Sequence, residues 1–511
     1  MPRVVRDKHP SSDSNGEFVR RPVDIRRFVG GPVVNTRRNT RRNTRRVEKA
    51  DDKATGWFEQ PALRNGLGLI VVVGWLFGVL FGVLFVEPPT ASSSLPPVAL
   101  RSHNTYWRPA PDAILERLPG DPGNAVFEAS EPELEAAGGR LSGLLGRGKP
   151  RTRLIEYVHL ESNRKRGDAR GPDGLYRVEY AIDSQLNRQV FQILRNAQVK
   201  LGHVIVLDPA TGRVLAYAST DPESFPPTRA YPSASIIKVI TAAAVLELDP
   251  RAGSRTCRYE GSPYRLEPFQ VYPPRYGRVV SFPRALATSN NQCFAQLAVN
   301  EVGRTGLLGA IDRFGFLDAA APGHAPGTAT PGQSDYDLGR LGCGLAGCNI
   351  TPLHAAKLAA TLATGESVDP WWIDRVLDSS GRELSLPIRS TPRRVMSPAN
   401  AAKLRNMMVS TTTEGTARRA FTDRHGRPRL GSLRVAGKTG NLSGTNPTGR
   451  YEWFIGVAPA EAPKIAVAVV QVQGRSWIKK SSEIAVDVLA DIFCEAGDCD
   501  AGNAARLTES L

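Results

Sequence analysis

An α+β fold follows from three features of the sequence. Strand-like runs stand near both ends of the ordered region, "HVIVLDPATGRVLAYAS" early and "YEWFIGVAPAEAPKIAVAVVQVQG" late. Helical patterns fill the interval between them. A single sheet that joins the early and late segments, with helices packed on it, buries the apolar residues of both. At 511 residues the chain is long enough for two or three domains, and 41% hydrophobic residues suffice for a globular core.

The N-terminal region is of a different character. The chain carries a formal charge of +16, and half of that lies in residues 1–64, which hold 16 Lys/Arg against 8 Asp/Glu. Its triple repeat "NTRRNTRRNTRR" has no apolar face to bury, so residues 1–64 read as a disordered basic cytoplasmic segment. Its arginines suit membrane topology and loose headgroup contact, with no specific nucleic acid as partner. Leu67 to Val86 then runs for 20 residues without a charge or a proline. As a helix rising ~1.5 Å per residue it spans a ~30 Å hydrocarbon layer, so 65–86 is expected to be a single transmembrane helix. The positive-inside rule puts the N-terminus in the cytoplasm and the remainder on the outer, periplasmic side of the cytoplasmic membrane. A cleaved signal peptide fits less well, because the polar segment before the run is too long and Glu87-Pro88-Pro89 is a poor cleavage site.

Residues 87–150 are rich in proline and glycine and read as a tether. Order is expected from Arg151, with 151–200 a short pedestal, 201–495 the main domain and 496–511 a C-terminal tail. All six cysteines fall on the exported side, which fits an oxidising compartment. The close pairs Cys343/Cys348 and Cys494/Cys499 could each close a small loop, but six cysteines admit 15 connectivities and the sequence does not choose. Neither pair has the spacing of a zinc site, and no metal is expected.

Within the ordered part each element has its own signature. Asp183 is placed to cap a helix whose buried face carries Leu186, Val190, Leu194 and Ala197. Asp208-Pro209-Ala210-Thr211-Gly212 joins two strand-like runs as a hairpin turn. "ITPLHAAKLAATLATG" reads as a helix stopped by Gly365, the late apolar runs as two strands, and "SSEIAVDVLADIFC" as a helix capped by Ser481 or Ser482.

One helix is chemically odd. From Ile236 to Leu246 the sequence is apolar on every side except at Lys238 and Thr241, which marks a central, buried helix. Lys238 stands three residues after Ser235, so the two share a face and the amine can approach the hydroxyl. Burial lowers a lysine's pKa toward the range where it acts as a base. The helix start favours a developing alkoxide on Ser235. Ser-x-x-Lys itself is cheap: Ser162/Lys165 and Ser476/Lys479 also fit it, in surroundings that offer no buried helix. Two further motifs follow in order, Ser289-x-Asn291 54 residues after Ser235 and Lys438-Thr439-Gly440 149 residues after Ser289.

These motifs resemble the transpeptidase domain of high-molecular-weight penicillin-binding proteins, over roughly Tyr176 to Phe493. The lead-in "GHVIVLDPATGRVLAYAS", the helix "ITPLHAAKLAATLATG" and "MMVSTTTEGTARRAF" before the Lys-Thr-Gly strand look like further parts of that family. The resemblance implies the penicillin-binding/β-lactamase-like fold, an antiparallel sheet with helices on both sides. It implies that Ser235 attacks the penultimate D-alanine of a peptidoglycan stem peptide and that Lys238 takes its proton. Ser289 would relay a proton toward the leaving amine, Asn291 would hold the substrate backbone, and Lys438 with Thr439 and Gly440 would anchor the terminal carboxylate. The backbone N–H groups of Ser235 and Asn441 would form the oxyanion hole. No cofactor is required, and β-lactams are implied as covalent ligands.

Two departures stand out. Asn441 occupies a position where the family usually has Thr or Ser, so a hydroxyl contact to the substrate carboxylate is lost. The stretch between Val86 and Tyr176 is also too short for a full pedestal or a glycosyltransferase, implying a monofunctional protein with a separate glycosyltransferase or division or elongation machinery as partner. A class A β-lactamase fits less well, since neither Glu-x-x-x-Asn nor Glu-x-x-Asn occurs between Ser289 and Lys438. A D,D-carboxypeptidase and a non-catalytic β-lactam sensor or wall scaffold stay open.

Overall fold

The computed structural model describes residues 126–129, 133–136, 152–161, 174–473, 478–495 and 498–504. The expected basic segment and the apolar run Leu67 to Val86 lie outside the described residues. Among the described residues no helix is long and apolar enough to cross a membrane.

In chain order the strands are β1 (Val126–Ala129), β2 (Glu133–Ala136), β3 (Thr152–Glu161) and β4 (Gly174–Asp183), followed by helix α1 (Ser184–Asn196) and the hairpin β5 (Leu201–Leu207) and β6 (Val214–Ser219). Next come helices α2 (Lys238–Leu248), α3 (Asn291–Gln296), α4 (Asp335–Cys343) and α5 (Pro352–Thr364), then strand β7 (Ile373–Leu377) and helix α6 (Pro398–Thr413). Three strands, β8 (Ala436–Thr445), β9 (Thr448–Ala458) and β10 (Ile465–Gln473), precede the last helix, α7 (Ser481–Phe493).

The main sheet has the order β8-β9-β10-β5-β6, with every neighbouring pair antiparallel. Early and late segments meet where β5 pairs with β10, Leu207 opposite Ala466. Both faces of this sheet are covered. Val204, Val206, Ile465, Val467 and Val469 pack on one side with α1 and α7 residues such as Val190, Leu194, Ile484 and Val488. Ile205, Leu207, Ala466, Ala468 and Val470 face the other side, where α2 and α5 supply Ile240, Ala243, Leu358 and Leu362. Two-sided burial explains why "IAVAVV" reads as one apolar run although its side chains alternate in direction.

The capping signals act largely as the sequence predicts. The Asp183 carboxylate accepts from the Leu186 N–H at 2.8 Å, and Leu186, Val190, Leu194 and Ala197 are buried. Gly365 ends α5 in the left-handed region at φ 81°. The last helix differs from expectation: its N-cap is Lys480, whose N–H donates to the Glu483 carboxylate at 2.8 Å. Ser481 cannot cap because its hydroxyl donates to the Glu452 carbonyl on β9 at 2.7 Å.

A second sheet runs β1-β3-β4-β7, with β2 also paired to β3. Strands β1 and β2 lie within 87–150, so that stretch is not wholly the tether it was expected to be. The boundary at residue 200 is also crossed in both directions. Strand β7, from deep within the main domain, completes the second sheet, while α1, from the expected pedestal, covers the main one. The Arg213 guanidinium, just before β6, donates to the Ala181 carbonyl on β4 and links the two sheets.

Of the cysteine pairs suggested by proximity, Cys494–Cys499 is bonded but Cys343 and Cys348 are both free and buried. The second disulfide is Cys257–Cys293, across 36 residues. Cys343 ends α4 while Cys348 opens a short strand, Cys348–Ile350, that pairs with Tyr231-Pro232.

Candidate active site

The centre is built on a turn. After Tyr231-Pro232 the chain enters a 3₁₀ turn, Ala234–Ile237, which continues directly into α2 at Lys238. Ala234 has φ 49°, a left-handed conformation that costs a residue with a Cβ about 1–2 kcal/mol. Close packing holds it there. Gly344, at φ 78°, lies so near that a Cβ would stand 2.0 Å from the Ala234 carbonyl oxygen. Gly440 lets β8 pass the same turn, since a Cβ there would be 3.3 Å from the Ala234 Cβ and 3.3 Å from the Ser233 carbonyl oxygen.

Helix α2 is buried from Lys238 to Leu246, as its composition predicts. Ser235 remains partly exposed at its start, while Lys238 is fully buried. The Lys238 ammonium reaches three oxygens: Ser235 Oγ at 2.7 Å, Asn291 Oδ1 at 2.7 Å and the Cys343 carbonyl at 2.5 Å. The Asn291 amide is oriented by its own donation from Nδ2 to the Tyr264 carbonyl at 2.7 Å, so Oδ1 must face the lysine. Two of the three partners are therefore obligatory acceptors. A neutral Lys238 has two N–H donors to give them, and its lone pair is left for the Ser235 hydroxyl. Burial pushes the Lys238 amine down to about 8.

The second and third motifs close the cleft from the other side. Ser289 sits in the left-handed region at φ 57°, and Asn290 after it caps α3 by accepting from the Cys293 N–H at 3.1 Å. Cys293 in turn is tied to Cys257. Lys438, in β8, is fully buried and donates to Ser289 Oγ at 3.0 Å and to the Thr439 carbonyl at 2.7 Å. Burial lowers this amine well below its ordinary value, and repulsion from Lys238 lowers it further. Among the described residues neither amine has a carboxylate partner, so the pocket holds two desolvated amines awaiting an anion.

Thus Ser235, Lys238, Ser289, Asn291, Lys438 and Gly440 converge, with Thr439 beside Lys438. The Asn291 amide, expected to hold substrate backbone, here has its oxygen on Lys238 and its nitrogen on the Tyr264 carbonyl. Asn441 follows on β8 with its side chain exposed and accepting from Arg450 Nε on β9. Sequence reasoning missed Thr416, whose hydroxyl is 2.5 Å from that of Thr439 and whose N–H donates to the Ala287 carbonyl at 3.0 Å. It also missed the Cys343 and Tyr264 carbonyls. A backbone acceptor carries no residue-type signal, whereas Thr416 lies inside "MMVSTTTEGTARRAF" and its hydroxyl could have been weighed there.

A serine with a buried lysine behind it, a second serine–lysine couple facing it and an edge strand beside both define an acyl-transferring serine centre. The chain belongs to the penicillin-binding protein transpeptidase family: the family model for the penicillin binding protein transpeptidase domain matches residues 202–493. It is 31% identical over 344 residues to the peptidoglycan D,D-transpeptidase PbpA of Mycolicibacterium smegmatis, covering 58% of this chain and 67% of that protein. With PbpA of Mycobacterium tuberculosis the identity is 29% over 314 residues, 53% of this chain and 62% of the relative's length. The crystal structure of PBPA from Mycobacterium tuberculosis superposes with a TM-score of 0.50 at 26% identity, covering 61% of this chain and 81% of that one.

Proposed function

We propose that this chain is a peptidoglycan D,D-transpeptidase that works through a Ser235 acyl-enzyme and binds penicillins covalently at the same residue. The observation that carries the reading is the 2.7 Å contact between Lys238 Nζ and Ser235 Oγ, with the other two lysine contacts on carbonyl oxygens. The Ser235 oxygen forms a bond to the carbonyl carbon of the penultimate D-alanine as its proton passes to Lys238. The backbone N–H groups of Ser235 and Asn441 take the charge of the oxyanion. The C–N bond then breaks, and the departing D-alanine amine receives a proton through Lys238 and Ser289. An acceptor amine attacks the ester, gives its proton to Lys238, and leaves as a new amide while Ser235 regains its hydrogen.

The two amines are coupled. A substrate carboxylate arriving at Thr439 supplies the counter-charge Lys438 lacks and favours its ammonium form. Repulsion between close like charges then favours a neutral, basic Lys238. The same chemistry accepts a β-lactam, whose ring amide stands in for the scissile bond and whose carboxylate stands in for that of D-alanine.

The apolar run Leu67 to Val86 supports placement as a single-pass protein of the cytoplasmic membrane, with this centre on the exported side, working beside a separate glycosyltransferase. A labelled penicillin applied to the full-length protein tests the activity. Lasting label that disappears in Ser235→Ala is expected; label on the variant, or none on either protein, overturns the reading. Lipid-linked precursor should then give cross-linked dimers, and free D-alanine without dimers would assign a carboxypeptidase instead.

A further inference from the structure

We infer that the hairpin 256–281, whose strands Thr256–Tyr259 and Arg278–Ser281 pair, is the docking surface for the acceptor strand of peptidoglycan; this rests on the transpeptidase reading above. Among the described residues nine large hydrophobic side chains are exposed, and five of them, Tyr264, Phe269, Tyr272, Tyr276 and Val279, lie in this hairpin. Scattered singly they would need no explanation, but such a concentration marks an interaction surface. The hairpin is also pinned to its neighbour. Side-chain amides of one helical segment, α3 and the π-helical turn Leu297–Val302 that continues it, donate to hairpin carbonyls: Gln292 to Glu260 at 2.7 Å, Asn291 to Tyr264 at 2.7 Å and Asn300 to Val271 at 2.8 Å. The Cys257–Cys293 bridge adds a covalent tie to α3. Rings carried on a backbone already fixed lose little freedom when a ligand arrives, which lowers the cost of binding.

Position and chemistry name the occupant. Asn291, whose side-chain oxygen accepts from Lys238, donates its N–H to the Pro263 carbonyl at 2.7 Å and its amide to the Tyr264 carbonyl, so the hairpin backbone adjoins the second motif directly. The acceptor amine takes the place that the departing D-alanine amine leaves, beside Ser289, because the second half of the transfer reverses the first. With β8 carrying the donor, an acceptor strand leading away from Ser289 and Asn291 meets the hairpin. The hairpin has four exposed arginines against two exposed glutamates, and Arg275 lies over the Tyr276 ring at 5.3 Å, so ring face and positive charge are offered together. A peptidoglycan strand presents sugar rings, whose flat C–H faces pack on aromatic rings, and stem-peptide carboxylates, which pair with guanidinium. An anionic bilayer fits less well, because Glu260, Glu267 and Asp335, which accepts from the Tyr272 hydroxyl at 2.5 Å, put carboxylates on the same surface.

The test uses full-length protein whose Ser235 has first been acylated with a penicillin, so that the donor side is filled. Short uncross-linked peptidoglycan strands are titrated by calorimetry into wild type, Phe269→Ser/Tyr276→Ser and Arg275→Gln, each with a matched unfolding midpoint. The expected result is about tenfold weaker strand binding in the double variant, the factor that about 1.4 kcal/mol represents, and weaker binding with a shallower salt dependence in Arg275→Gln. Strand binding that is absent in the wild type, or equal in all three proteins, overturns the assignment. Hydrogen exchange in phosphatidylglycerol nanodiscs tests the other occupant: protection of 256–281 that appears with added strands supports the assignment, and protection set by the lipid and unaltered by strands overturns it. A wild type that takes no penicillin at Ser235 overturns the transpeptidase reading instead. Strands are then titrated into the unacylated protein, and the same loss in the double variant still supports the docking surface.

Discussion

At the scale of single residues the centre is a problem in desolvation. Two amines lie buried without a carboxylate among the described residues, and burial drives each toward its neutral form. Only the neutral Lys238 can accept the Ser235 proton. The acylation rate should therefore rise with pH through about 8 and level off above it. Stopped-flow acylation across pH 6 to 10 checks this, and a flat profile would remove Lys238 as the base. Lys238→Ala should lower the plateau at least about a hundredfold, the range of general-base effects. This chemistry was legible in sequence only in part, because an ammonium within an all-round apolar helix also fits a lysine that snorkels to the edge of the core, and it took the two further motifs to favour a base. The three motifs lie 54 and 149 residues apart, and only known spacing in a family joined them in advance. The Cys343 carbonyl, which helps to aim the lone pair of Lys238, has no side-chain signature and needed coordinates.

At the scale of elements, α3 holds both Asn291 and Cys293, so the Cys257–Cys293 bridge ties the second motif to the strand Thr256–Tyr259. A bridge closing 36 residues restricts the unfolded chain by an amount on the order of 3–4 kcal/mol in the chain-entropy model. Cys257→Ser/Cys293→Ser should lower the unfolding midpoint by several degrees and slow acylation, read by calorimetry and by penicillin labelling; an unchanged acylation rate would show that the bridge supports the fold without positioning Asn291. Helices and strands with caps or turns of their own were legible, as at Asp183 and Gly365. Pairing of the cysteines was legible only in part: of the two close pairs in sequence, Cys494–Cys499 is bonded, whereas Cys343 and Cys348 stay free at a helix end and on a short strand. Ser481 was misjudged because its hydroxyl is taken by β9, a partner 29 residues away in the chain.

At the scale of the molecule the two sheets exchange elements. A chain starting at residue 201 would lack α1 and leave Val204, Val206, Leu215 and Ala218 without their cover. Such a fragment is expected to aggregate, while one starting at residue 120 should be monodisperse and take up penicillin; size-exclusion chromatography and labelling distinguish them, and a soluble, labelled 201 fragment would show that α1 is dispensable. The sequence placed strands at both ends of the domain and so anticipated the main sheet. It did not anticipate β7 joining β4, because in a strand as short as "IDRVL" the buried Ile373 and Val376 are separated by two charged residues and do not alternate, which leaves little periodic signal. The pairing of Leu207 with Ala466 has a further consequence in time. At about 5–20 residues per second, the ribosome needs on the order of tens of seconds to supply the 259 residues from Asp208 through Ala466. For that interval β5 has no partner on its inner edge, and a newborn chain must rely on a chaperone or on delayed collapse to keep that apolar ribbon from pairing with a stranger.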